Sequence, residues 1–141
     1  MSKELEGEIA LVTGASRGIG KAIAEQLASL GATVIGTATS DNGADNISAY
    51  LSDSGGKGMC LNVTDADSIA SVMKTISDEY GAVSILVNNA GITKDNLLMM
   101  MKEDQWNDII ETNLTSIYRL SKAVIRSMMK KKKGRIINIA S

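Results

Sequence analysis

A chain of 141 residues, 44% of them hydrophobic, is long enough for one domain with its own core and too apolar to be disordered. A formal net charge of -1 and a pI near 5.4 argue against binding polyanions through overall charge. With no histidine and a single cysteine, the sequence excludes Ser-His-Asp and Cys-His triads, histidine-rich metal sites and an intrachain disulfide.

Short β-branched runs bounded by glycine alternate with helix-length amphipathic segments. In chain order they predict a strand over 8–13, a helix over 18–30, a strand over 33–38, a helix over 43–53, a strand over 58–62, a helix over 65–80, a strand over 84–88, a helix over 103–131 and a strand over 135–139. Alternation of this kind implies stacked βαβ units. The strands are apolar on consecutive positions, as in Ile9 to Val12 and Ile85 to Val87, and so require cover on both faces. The expected fold is therefore α/β, a doubly wound parallel sheet of the Rossmann kind, in one domain spanning 1–141.

Between the first strand and first helix lies Thr13-Gly14-Ala15-Ser16-Arg17-Gly18-Ile19-Gly20. Gly14 allows a tight turn off the strand, Gly18 lets the backbone approach a phosphate, and Gly20 lets the helix pack closely on the sheet. The helix N-terminus adds unpaired N–H groups and a partial positive charge, the elements of a pyrophosphate site. A purely structural turn is the alternative. The second strand bears on which nucleotide binds: a dinucleotide site for NAD places an acid about 20 residues beyond the glycines, on the ribose 2′-hydroxyl. Here the strand ends in Ala38-Thr39-Ser40, so a 2′-phosphate meets no like charge and finds Arg17, Thr39 and Ser40; NADP(H) is expected over NAD(H). Asp41, just beyond, is the residue that weighs against this.

Cys60, inside the apolar run Gly58 to Leu61, is expected to be an inert core thiol. In the helix from 103, Trp106, Ile109, Ile110, Asn113, Leu114, Ile117, Leu120, Ser121, Val124, Ile125 and Met128 fall on a stripe wide enough to pack on the sheet alone or also on another subunit. Its acids stand in the first turn, Lys130 to Lys133 in the last, and Gly134 is the expected C-cap. From Arg119 to Arg135 the chain carries eight basic residues and no acid. This run is either a solvated helix end or a docking surface for an acidic partner. The acidic N-terminus lacks a signal peptide's basic and apolar regions, and no run reaches the roughly 18 apolar residues of a membrane span, so a reducing cytoplasm is the expected compartment.

The spacing Thr13-Gly14-x-x-x-Gly18-x-Gly20 resembles that of the short-chain dehydrogenase/reductase family, and other stretches agree: Asn62-Val63-Thr64-Asp65, Asn88-Asn89-Ala90-Gly91, Asn113 in the long helix, and Arg135 to Ser141. Within that family, Gly36 to Ser40, Gly91 to Met99 and Trp106 to Leu114 are similar to bacterial reductases that act on 3-oxoacyl thioesters of acyl carrier protein in fatty-acid synthesis. The resemblance implies cofactor contacts at Gly14, Ala15, Ser16, Arg17, Ile19, Thr39, Asn62, Val63, Asn89, Ala90 and Gly91. It implies that Ser141 hydrogen-bonds the substrate carbonyl and that Asn113 holds a water in the proton relay. It further implies a homotetramer, and acyl carrier protein docking on the basic stretch around Arg126, Lys130 and Lys132.

Read without the resemblance, Asn113 is as well explained as a satisfied core amide and Ser141 as a solvated serine. The family's tyrosine and lysine follow the serine, and 141 residues end before them. The expectation is therefore the N-terminal portion of a longer reductase, its sheet incomplete at the C-terminal side and the piece inactive alone. A noncatalytic nucleotide-binding fragment, or a carbonyl reductase acting on an acyl-CoA or a sugar, are the alternatives.

Overall fold

The computed structural model describes residues 4–89 and 102–139. The chain runs β1 (Ile9–Val12), α1 (Gly18–Ser29), β2 (Thr33–Ala38), α2 (Asp41–Leu51), β3 (Lys57–Cys60), α3 (Ala66–Glu79), β4 (Ile85–Asn88), α4 (Glu103–Ile110), α5 (Ser116–Lys131) and β5 (Arg135–Asn138). All pairings are parallel and the strand order is β3-β2-β1-β4-β5. From β1 the chain winds outward through β2 and β3, then returns to place β4 on the other side of β1. The predicted doubly wound sheet is what forms.

Strand alternation divides the core between two faces. Leu11, Ile35 and Leu86 point to one side and pack with Ile69, Val72 and Ile76 of α3 and Leu120, Val124 and Met128 of α5. Ala10, Val12, Val34, Ile85 and Val87 point to the other and meet Ala24 of α1 and Ile47 and Leu51 of α2. The second face is built partly from small residues, so its helices approach closely. A Cβ on Gly36 would lie 2.7 Å from Ile47, and one on Gly58 would lie 2.8 Å from the same side chain.

Several expectations shift at element ends. The second helix begins at Asp41 rather than 43, because Ser40 caps it by accepting a hydrogen bond from the Gly43 N–H (3.1 Å). Asp65 likewise caps α3, accepting from Asp67 N–H at 2.9 Å. Cys60 is not a core thiol: it is exposed at the end of β3, its Sγ 3.4 Å from the Thr39 carbonyl. β3 is an edge strand: Gly58 and Met59 are buried on its opposite faces, whereas Cys60, on the Gly58 face at the strand's last residue, is left uncovered.

The helix predicted over 103–131 is interrupted. α4 and α5 are joined by a π-helical turn, Glu111–Thr115. Asn113, Thr115 and Ser116 are residue types of weak helix propensity, and the register slips where they cluster. The predicted stripe is only partly used. Ser116, Leu120, Val124 and Met128 are buried at every fourth position, whereas Trp106, Leu114 and Ile125 are exposed, as are Tyr118 and Met129. Gly134 is not the C-cap either. Lys132 takes the left-handed conformation (φ 55°), and Gly134 instead makes room for Met128, whose Cγ would lie 2.5 Å from an added Cβ. The strand Arg135–Asn138 is less covered than its sequence implies: it lies at the end of the sheet, with Ile137 exposed.

At the end of the sheet opposite the glycine turn, Lys133 pairs with Glu8, just before β1. That ion pair holds the Glu8 carboxyl below the usual carboxylate range, and the Ser84 hydroxyl assists. Among the described residues no helix is long and apolar enough to cross a membrane.

Candidate nucleotide site

In an open parallel sheet the ligand crevice opens beyond the carboxyl ends of the strands where the winding reverses. Here that point lies between β1 and β4. Gly14 follows β1 and Asn89 follows β4, so the glycine turn stands at the crevice.

The turn is held from three sides. Thr13 N–H donates to the Val87 carbonyl (3.1 Å), and Ala15 N–H donates to the Thr37 carbonyl of β2 (2.9 Å). Asn89 donates its N–H to Thr13 Oγ1 and its Nδ2–H to the Gly14 carbonyl, both at 3.0 Å. From the α2 side, the Tyr50 hydroxyl donates to the Ala15 carbonyl at 2.6 Å. Gly14 and Gly18 both take φ of 64°, the left-handed region that glycine adopts without strain.

What the turn presents fits an anion. Arg17 is the N-cap of α1 without a side-chain cap bond, and no acid stands in the first turn. A Cβ on Gly18 would meet nothing within 4 Å, so a cradle is open where a phosphate approaches. Gly20 serves differently from the expectation of packing on the sheet: a Cβ there would overlap the Gly14 carbonyl and come within 2.6 Å of Asn89 Nδ2. It lets the helix start pass over the turn itself.

The structure brings Gly14, Ala15, Ser16, Arg17, Ile19, Thr39 and Asn89 to one end of the sheet. Ala15 is buried, Ser16 partly buried, and Arg17, Ile19 and Thr39 are exposed around the open cradle. Asp41, the acid that counted against a 2′-phosphate, is the first residue of α2 and stands on its partly positive N-terminus. Asn62 and Val63 lie just past β3. Asn62 Oδ1 accepts from the Thr64 N–H (3.0 Å) and hydroxyl (2.6 Å), folding the segment into a compact turn. Val63 is buried in the core cluster with Ile69 and Val72 of α3. Asn113 is partly buried within the π-helical turn. Ala90, Gly91 and Ser141 lie outside the described residues.

Asn88 and Asn89 act as ties between strands. Asn88 Nδ2–H donates to Asn138 Oδ1 at 2.8 Å, linking β4 to β5, while Asn89 links β4 to the turn after β1. Two contributors escaped the sequence reading. One is Tyr50, 35 residues from its partner. The other is Arg119, counted there only as part of the basic stretch, whose NH1 donates to the Thr64 carbonyl (2.8 Å) and so ties α5 to the Asn62 turn. Tyr118 and Lys122 line an apolar groove between α3 and α5 with Ile69 and Met73.

The model of the short chain dehydrogenase family matches residues 8–141. The chain belongs to the short-chain dehydrogenase family. It is 71% identical over 137 residues to the 3-oxoacyl-acyl-carrier-protein reductase FabG of Vibrio harveyi, an alignment covering 97% of this chain and 56% of that protein. The enzyme of the same name from Vibrio cholerae is 72% identical with the same coverage. That from Escherichia coli K12 is 70% identical over 136 residues, 96% of this chain and 55% of the relative. The chain thus spans about half the length of the curated relatives it matches. A nicotinamide cofactor is what this family uses, and open parallel sheets of this kind bind dinucleotides at such a turn and crevice.

Proposed function

We propose that this chain forms the cofactor-binding portion of an NADPH-dependent reductase that converts 3-oxoacyl to 3-hydroxyacyl thioesters of acyl carrier protein in fatty-acid synthesis. The observation that carries this reading is the open cradle at Gly18 on an uncapped helix start, in a chain about 70% identical to enzymes so named. In this reading the N–H groups at the start of α1 hold the pyrophosphate, Arg17 and Thr39 take the 2′-phosphate, and Asn62 with the Val63 main chain flank the adenine. Asn89, Ala90 and Gly91 floor the nicotinamide ribose. The bound cofactor supplies the hydride. Ser141 hydrogen-bonds the substrate carbonyl where negative charge develops, and Asn113 holds a water in the proton relay to the family's lysine, which assists the tyrosine that gives the carbonyl oxygen its proton.

The 2′-phosphate assignment predicts that NADPH binds at least about tenfold tighter than NADH, roughly the worth of one charge-assisted contact. Calorimetric titration with each nucleotide measures it. An NADH affinity equal to or tighter than that for NADPH removes the NADP(H) reading.

Within the basic stretch Arg119 is bonded to Thr64 and Lys133 to Glu8, while Arg126, Lys130 and Lys132, with Lys131 beside them, stand exposed on the last turns of α5 and its cap. In this proposal these three steer the acidic carrier protein, with an affinity that weakens in salt. Lys132→Glu is expected to lower carrier affinity severalfold at low ionic strength, read by titration with the carrier; an unchanged affinity removes this surface from the proposal.

A further inference from the structure

Ala15 is the residue of the glycine turn with both backbone groups tied to the protein, its N–H to β2 and its carbonyl to the Tyr50 hydroxyl of α2. The second tie has a consequence at the next residue. The Ala15 carbonyl and the Ser16 N–H belong to one planar trans peptide and point in opposite directions. A hydroxyl that fixes the carbonyl toward α2 therefore fixes the Ser16 N–H away from α2. It also sets the path by which the chain leaves for Arg17 and Gly18.

We infer that Tyr50 is a positioning residue of the nucleotide site, aiming the Ser16–Gly18 segment at the cofactor phosphates through its bond to the Ala15 carbonyl. The inference rests on the nucleotide-site reading above. Tyr50 is suited to the task. It projects from the next-to-last residue of α2, a helix anchored by Ile47 and Leu51 in the core, so the hydroxyl is carried by a rigid element. Its ring lies under the Lys21 ammonium (5.3 Å to the centroid), which ties the first turns of α1 to the same side chain. Burial, with a contribution from Glu25, pushes its pKa up to about 12, so the hydroxyl remains a donor throughout the physiological range. Gly36 permits the close approach of Ala15 to this layer: a Cβ on it would lie 2.9 Å from that of Ala15.

Tyr50→Phe removes the hydroxyl alone and leaves the ring beneath Lys21. The buried Ala15 carbonyl then loses its partner, and its peptide is no longer held in this orientation. NADP+ titration by calorimetry, well below the melting temperature, is expected to show the Kd rising roughly fivefold in Tyr50→Phe, the size of one hydrogen bond. Its ligand-free melting temperature should stay within a few degrees of the parent chain. Tyr50→Ala should weaken binding at least as much and also melt lower, because it loses the ring. A purely structural role would lower the melt of Tyr50→Phe and leave the Kd of the folded protein unchanged. An unchanged Kd in Tyr50→Phe, with the parent chain binding NADP+, overturns the inference alone. A parent chain that melts cooperatively yet binds no NADP+ overturns the nucleotide-site reading, and the inference with it.

Discussion

Gly20→Ala is expected to lower the free energy of unfolding by at least about 3 kcal/mol, at the upper end of what overpacking costs. The position shows why a single methyl group matters so much. The added Cβ overlaps the Gly14 carbonyl and crowds Asn89 Nδ2, and those two groups are bonded to each other at 3.0 Å. The clash therefore falls on the hydrogen bond that ties β4 to the turn after β1, and not on the flexible end of a long side chain. Relief requires either lifting the start of α1 or breaking that tie, and Ala24 of α1 is fully buried against the sheet. Urea denaturation followed by far-UV circular dichroism measures the loss. Gly55→Ala is the control: at φ of 81° with nothing within 4 Å, it bears only the left-handed backbone penalty of about 1 kcal/mol. If Gly20→Ala costs no more than Gly55→Ala, the turn is softer than its bonding implies.

The sheet and the turn were legible because their signals are local. A run such as Ile9 to Val12 can be recognised as a doubly covered strand, and three glycines between a strand and a helix leave few alternatives. What was hidden depends on neighbours distant in sequence. Cys60 sits in an apolar run, yet only the strand order puts β3 at an edge and leaves its thiol uncovered. The stripe from Trp106 to Met128 looks continuous, but the π-helical turn around Asn113 shifts the register midway, and Trp106, Leu114 and Ile125 are left exposed. Gly134 has the residue type of a C-cap, yet the helix turns left-handed two residues earlier, at a lysine, and Gly134 instead leaves space for Met128. Tyr50 gave no signal, and Arg119 none beyond its place in the basic stretch. Each is one polar tip on an otherwise ordinary helix, and its partner is a backbone carbonyl 35 or 55 residues away.

Gly18→Ala should separate binding from stability in the direction opposite to Gly20→Ala. Gly18 also takes a left-handed φ of 64°, so alanine there costs about 1 kcal/mol of backbone strain. Nothing in the protein lies within 4 Å of the new Cβ, so no packing penalty adds to it. If the cradle at the start of α1 receives the pyrophosphate, the methyl group occupies the space the phosphate must enter and holds it away from the helix N–H groups. On that account NADP+ affinity falls on the order of 50-fold, the equivalent of about 2 kcal/mol of overpacking against the ligand. The variant should remain cooperatively folded, and calorimetric titration beside a urea melt gives both numbers from one preparation. Two glycines flanking one residue would then be distinguished by what faces them, the protein's own carbonyl at Gly20 and the ligand at Gly18. A Gly18→Ala variant that binds NADP+ as the parent does would place the phosphates elsewhere along the crevice.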